Sequence, residues 1–198
     1  MKIAQRIESN PMGALKDFFA ESTMTTIIVL AWLSLYFLIT LWIYIYRNFS
    51  LGDWLSTEKH HLDMLINKSI LVPKNAFLNT LLEKSGGHIS REILQVWKLK
   101  ATQRASSSLV MLSLIASTAP FIGLFGTVVE ILETFRFLGG GNVSFDVIAP
   151  VISKALVATA AGILVAIPAY SFHLLLKRKA YHVITCIQMQ IDLILSSK

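Results

Sequence analysis

A single cysteine, Cys186, leaves this chain of 198 residues without an internal disulfide, and no His, Cys, Asp or Glu group shows the spacing of a metal site. His60 and His61 are adjacent, so they cannot face one metal from a helix, and the reading there is a solvated loop. Catalytic groups are missing too. No nucleophile sits beside a base and no glycine-rich phosphate loop follows a strand, so neither an enzyme nor a cofactor is expected. Charge is scarce: 15% of residues are charged against 54% hydrophobic, with a mean hydropathy of +0.60. Such a composition belongs to a membrane protein. The 18 basic residues exceed the 12 acidic ones but are scattered through one polar stretch and clustered beside one apolar run. That placement orients a chain in a bilayer and argues against a nucleic-acid partner. The first 21 residues have no long apolar core or cleavage pattern, so no removable signal peptide is expected.

What is present is a set of long apolar runs. Residues 22–46 form the first, with Trp42, Tyr44 and Tyr46 near its end and Arg47 directly after, the mark of a membrane exit. Its composition is that of a peripheral, lipid-facing helix. Residues 105–134 form the second span and 147–176 the third; about 20 apolar residues at ~1.5 Å each cross ~30 Å of hydrocarbon. The expected fold is all-α with three transmembrane helices. Around them lie an amphipathic N-terminus over 1–21, a polar helical loop over 47–104, a glycine-rich link over 135–146 and an amphipathic helix over 177–198. Ser90 is a plausible N-cap with Glu92 in the first turn, and one unbroken helix from Ile89 to about Phe135 is predicted. Ile184, Ile187, Ile191 and Ile194 form one stripe of the tail, expected to pack on the start of that long helix.

Orientation follows from basic residues. The 47–104 loop carries nine Lys/Arg and the tail four, whereas the link has only Arg136 and the N-terminus balances three bases with three acids. The loop and tail are therefore cytoplasmic, giving N-out and C-in, with the second and third helices extended into the cytoplasm.

The second span is more polar than an anchor needs. It holds Ser117, Thr118, Gly123, Gly126, Thr127 and Pro120, and small or hydroxyl residues allow close helix contact. Ala158, Gly162 and Ala166 form a matching small-residue ridge on the third span. Pro120 and Pro168 read as local kinks. Glu130 and Lys154 are ionisable residues near membrane depth on opposite arms of the hairpin, where each costs about 2.5 to 3.5 kcal/mol on insertion scales. Either they pair or both reach the outer head groups. Thr127 and Thr159 carry no charge, and their bland fate is a hydroxyl bonded back to its own helix.

The run Ala119-Pro120-Phe121-Ile122-Gly123-Leu124-Phe125-Gly126-Thr127-Val128, with Ser153-Lys154-Ala155-Leu156-Val157-Ala158-Thr159-Ala160 and Ala166-Ile167-Pro168-Ala169, resembles the ExbB/TolQ proton-channel family, relatives of MotA. The resemblance covers Ile89 to about Lys179, and the first span and the loop match in layout. It implies a multi-pass protein of the bacterial inner membrane and a pentameric bundle around helices of a single-span partner, ExbD or TolR. That partner supplies the titrating aspartate, and energy passes on to TonB or TolA. In agreement, no span here contains an aspartate. The family's functional threonines fall on Thr127 and Thr159. The family often has a glutamate five residues before the second threonine, where this chain has Lys154, and Glu130 stands where many relatives have glycine. These two departures from the family pattern lead to the expectation of a rearranged pore polarity in which Glu130 partners Lys154. A MotA-like stator, a small transporter and a non-conducting membrane scaffold are the other readings, and the motifs do not separate the TonB branch from the Tol branch.

Overall fold

The structure is a computed structural model that describes residues 24–67, 73, 76–84, 90–138 and 145–196. Every element among them is helical: α1 Met24–Ile66, α2 Ala76–Lys84, α3 Arg91–Ser106, α4 Leu109–Leu138 and α5 Phe145–Ser196. Three helical stretches, Met24–Ile66, Arg91–Arg136 and Ile148–Ser196, are long and apolar enough to cross a membrane. The chain is an all-α, multi-pass membrane protein. The expected N-terminal amphipathic segment and the Gly139-Gly140-Gly141-Asn142 link lie outside the described residues.

Helix boundaries differ from the sequence expectations in three places. First, α1 does not stop near Tyr46 but runs on for twenty residues, because nothing between Arg47 and Ile66 breaks a helix except Gly52, whose site is open. His60 and His61 consequently lie on a helix rather than in a loop. Second, the long helix predicted from Ile89 is interrupted by a turn at Ser107-Ser108, although Ser107 keeps right-handed helical angles (φ −54°, ψ −40°). Three consecutive serines over 106–108 offer side-chain hydroxyls to local carbonyls, with Ser106 bonding Thr102 O and Ser107 bonding Arg104 O, and this competition loosens the ladder. Third, the third span and the tail are one helix of 52 residues. Lys177-Arg178-Lys179 end the uncharged stretch after Lys154 but are good helix formers, so the backbone has no reason to break there.

The start of α3 is capped by Ser90, whose extended backbone (φ −115°, ψ 158°) lets its Oγ accept from Ile93 N at 3.4 Å. A hydrogen bond from backbone N–H, then one from the Ser90 side chain, hold the Glu92 carboxyl below its ordinary pKa. Both residues thus satisfy donors that a helix start leaves open.

Two compact units divide the chain. The first comprises Met1–Ile39 and Ile115–Ala169, and its described core joins Val29 and Leu33 of α1, Ile115 and Ala119 of α4, and Ala158, Val165, Ala166 and Ala169 of α5. Half of these side chains are alanine, which lets the helices approach closely. The second unit comprises Thr40–Leu114 and Tyr170–Lys198. Leu94, Trp97 and Ala101 of α3 meet Val183, Ile187, Ile191 and Ile194 of α5 there, with Leu78 of α2 completing the cluster. The isoleucine stripe of the tail thus covers the first turns of α3, each buried side chain contributing about 1.5–3 kcal/mol. A neighbouring cluster gathers Leu51, Ala105, Leu109, Leu112, Leu176 and Ala180, beside a stacked pair of Tyr44 and Phe172 with ring centroids 3.9 Å apart.

Candidate functional site

In the first unit, glycine decides where α4 and α5 touch. A Cβ on Gly123 would stand 2.6 Å from Ala158 O and one on Gly162 would stand 2.6 Å from Ala119 O. Backbone meets backbone at both points, so no side chain larger than hydrogen fits without parting the helices. Gly126 is less constrained, because its Cβ would meet the Val29 side chain at 3.1 Å. The ridge of Ala158, Gly162 and Ala166 is buried inside this one chain, so its place is the α4/α5 contact rather than a free sliding surface.

This close approach brings Thr127 and Thr159 together. Their hydroxyls hydrogen-bond each other directly. Thr127 Oγ1 lies 3.2 Å from both Gly123 O on its own helix and Ala155 O on α5, and Thr159 Oγ1 lies 3.4 Å from Gly123 O on α4. Each carbonyl is four residues before one threonine and is reached across the contact by the other. Back-bonding, the bland fate, therefore accounts for only one of these four contacts. The rest cross between helices. Thr127 is 7% exposed and Thr159 half-buried, so the pair is a partly shielded, uncharged polar spot in an otherwise apolar contact.

Glu130 lies one turn further along α4 and is 3% exposed. Its Oε2 accepts from Thr26 Oγ1 at 2.8 Å, and Glu133 Oε1 accepts from Thr25 Oγ1 at 3.1 Å. Two acids at i and i+3 on α4 thus meet two consecutive threonines on α1. Sequence reasoning missed this ladder, whose signal was an acid pair on one helix face and a threonine pair at the matching depth of the first span. Lys154 is half-buried on α5, five residues before Thr159. Pro120 and Pro168 both sit inside helices, where each leaves one carbonyl four residues earlier, Ala116 O and Leu164 O, without its usual amide donor.

The second unit holds its own polar constellation. The Arg47 guanidinium donates to Arg104 O and Ala105 O, both at 2.8 Å, which caps the end of α3 where the Ser107-Ser108 turn interrupts the ladder. Burial, and secondarily the Arg104 charge, lower the pKa of Arg47. Glu58 is 1% exposed and accepts from Trp54 Nε1 and Gln190 Nε2, each at 2.9 Å, while the Arg104 cation stands 5.3 Å over the Trp54 ring. Near it, burial pushes the Cys186 thiol pKa up; Lys59 opposes this and Glu58 adds to it. Apart from Trp54 and Glu58, which stand four apart on α1, these partnerships have no periodic signature in sequence.

Membrane-spanning helices joined through a buried pair of hydroxyls, with the paired threonines on different spans, define a polytopic protein whose spans contact one another through polar as well as apolar groups. The chain belongs to the MotA/TolQ/ExbB proton channel family, whose family model matches residues 70–189. It is 50% identical over 188 residues to the ExbB-like 1 protein of Helicobacter pylori (strain ATCC 700392 / 26695), covering 94% of this chain and 100% of that protein. Over 68 residues it is 48% identical to the biopolymer transport protein ExbB of Neisseria gonorrhoeae, covering 34% of this chain and 31% of the relative. Over 68 residues it is also 43% identical to the Tol-Pal system protein TolQ of Pseudomonas aeruginosa, covering 34% of this chain and 29% of the relative.

Proposed function

We propose that this chain is the channel-forming subunit of a proton-driven motor in the bacterial inner membrane. With a single-span partner of the ExbD/TolR type it would couple the proton-motive force to TonB- or TolA-dependent work at the outer membrane. The spans lie at 22–46, 105–134 and 147–176 with the N-terminus outside, and five copies assemble around the partner's helices. The observation that carries the reading is the Thr127/Thr159 pair, an uncharged polar spot at the closest contact of two family-defining helices. Membership of the proton-channel family supports it.

The chemistry follows from what a hydroxyl can and cannot do. A carboxylate lining the path would hold a proton tightly or compete for it, whereas a threonine hydroxyl donates and accepts without changing charge. A titrating aspartate on the partner can therefore pass such a site in either protonation state. A proton crossing ~100 mV releases about 2.3 kcal/mol, the work available per step for moving one helix bundle against another. Glu130 and Lys154 form a charge pair that reshapes polarity at the outer end of the path.

The test deletes the chain and scores growth on chelated iron in parallel with sensitivity to detergent and bile salts. Loss of iron-dependent growth alone assigns the TonB branch, and envelope leakage with normal iron uptake assigns the Tol branch. Complementation with Thr127→Val or Thr159→Val should restore the oligomer, captured by cross-linking, but not the phenotype. Full rescue by both variants, or neither defect in a strain lacking a paralogue, overturns the motor in favour of a scaffold.

A further inference from the structure

Trp42, Ile45, Tyr46, Phe49, Ser50 and Asp53 line a groove of about 670 Å³ along α1 in the second unit. Spacings of three and four residues put all six on one stripe of the helix. The apolar members stand out from the chain, with Trp42 75% and Phe49 69% exposed. The stripe is apolar at one end and charged at the other: Trp42 and Ile45 come first, the Tyr46 and Ser50 hydroxyls follow with Phe49 between them, and the Asp53 carboxylate is last. At ~1.5 Å per residue, Asp53 stands ~4.5 Å beyond Ser50 and Ser50 stands ~12 Å beyond Trp42.

Charge is what narrows the occupant. No basic side chain lines the groove. Arg47, the nearest guanidinium in sequence, is buried and spent on the Arg104 and Ala105 carbonyls, and Lys179 is engaged by Asn48 Oδ1 at 2.6 Å. Among the described residues no cation forms a salt bridge with Asp53. A negatively charged head group would meet a carboxylate with nothing to offset it. A ligand with a cationic tip, a phosphate one step deeper and a hydrocarbon tail matches the order of groups. We propose that the groove binds a phospholipid with a primary-amine head group, of the phosphatidylethanolamine type. Its ammonium donates to Asp53, its phosphate accepts from the Tyr46 and Ser50 hydroxyls, and an acyl chain lies along Trp42, Ile45 and Phe49. Aromatic residues at the head-group level of a membrane exit are placed for this contact. A primary ammonium offers N–H donors that a quaternary choline lacks, so the carboxylate distinguishes the two. The assignment rests on the topology in which the first span ends at residue 46.

The full chain, reconstituted at a fixed lipid ratio, is titrated with spin-labelled phosphatidylethanolamine, phosphatidylcholine and phosphatidylglycerol, and the motionally restricted fraction is read by electron paramagnetic resonance. The expected result is a preference for the ethanolamine lipid over the choline lipid of about two- to five-fold, the scale of an exposed ion pair. Asp53→Asn should remove that preference and Asp53→Arg should transfer it to phosphatidylglycerol, while Tyr46→Phe with Ser50→Ala should weaken all three lipids without changing their ratio. Equal restriction of the three lipids, a wild-type preference for phosphatidylglycerol, or an unchanged ratio in Asp53→Asn overturns the proposal. Disulfide trapping of Phe49→Cys between copies overturns it too, because a second copy then fills the groove. Since Asp53 is exposed, its variants are expected to keep the helical circular dichroism of the wild type. The binding ratio is independent of whether the protein conducts protons.

Discussion

Replacing Gly123 by alanine adds one methyl group at the tightest point of the α4/α5 contact. That methyl would stand 2.6 Å from Ala158 O and 3.1 Å from Thr159 Cα, both backbone atoms of a helix that cannot rotate out of the way. Relief requires the helices to part by most of an ångström, until the contact reaches an ordinary 3.4 Å. Overpacking of this kind costs about 1–3 kcal/mol. Parting the helices also lengthens the hydroxyl contacts that cross between Thr127, Thr159, Gly123 O and Ala155 O. Against this, alanine favours the helix by about 0.8–1.0 kcal/mol over glycine. Gly126→Ala is the internal control, because its methyl meets side chains rather than backbone: the Val29 methyls at 3.1 and 3.3 Å, which can shift by a few tenths of an ångström, and Ala158 Cβ at an ordinary 3.4 Å. For Gly126→Ala the propensity gain should roughly cancel the crowding. The two variants are compared by SDS titration of the reconstituted protein, followed by circular dichroism. Gly123→Ala should unfold at a clearly lower SDS fraction than wild type, with Gly126→Ala close to wild type. Equal midpoints for the two would refute the claim that direct backbone contact at Gly123 sets the helix separation.

Two further outcomes follow from other polar contacts. Arg47→Ala uncaps the Arg104 and Ala105 carbonyls and should cost about 1.5–3 kcal/mol, as charged hydrogen bonds do, while Arg47→Lys retains part of it because an ammonium lacks the guanidinium fork. Thermal melts in detergent that leave Arg47→Ala at the wild-type midpoint would show the cap to be dispensable. For the proposed Glu130/Lys154 pair, Lys154→Glu should impair function and the added Glu130→Lys should restore it in the complementation assay; two independent, additive defects would dismiss the pair.

Much of the architecture was written in the chain's periodicity. Long apolar runs announced three helices able to cross a membrane, Ser90 announced the start of α3, and the isoleucine stripe pointed to its own partner surface. These are signals repeated every turn, so neighbouring residues reinforce one another. Helix ends were less legible, because α1 and α5 change from apolar to polar composition along their length without any change of backbone conformation. At the candidate site the two threonines were legible through the resemblance, and the glycines through their spacing. The contacts from Thr25 and Thr26 to Glu133 and Glu130 were not, since each joins residues more than a hundred positions apart and involves no repeat. Arg47 illustrates a subtler failure. Its position just after an apolar run reads as a charge seeking water, whereas the structure turns it inward to the carbonyls that an interrupted helix leaves open.

The threonine pair has a consequence of its own. Two hydroxyls hold two hydrogens, yet around them stand two carbonyls and each other's lone pairs, so there are more places to donate than hydrogens to place. The hydrogens can therefore be ordered in more than one direction while every heavy atom stays where it is. Reversing that order reverses the local dipole. A small reversible polarity of this kind follows the sign of a charge passing nearby and returns when the charge has gone, at the cost of turning two O–H bonds.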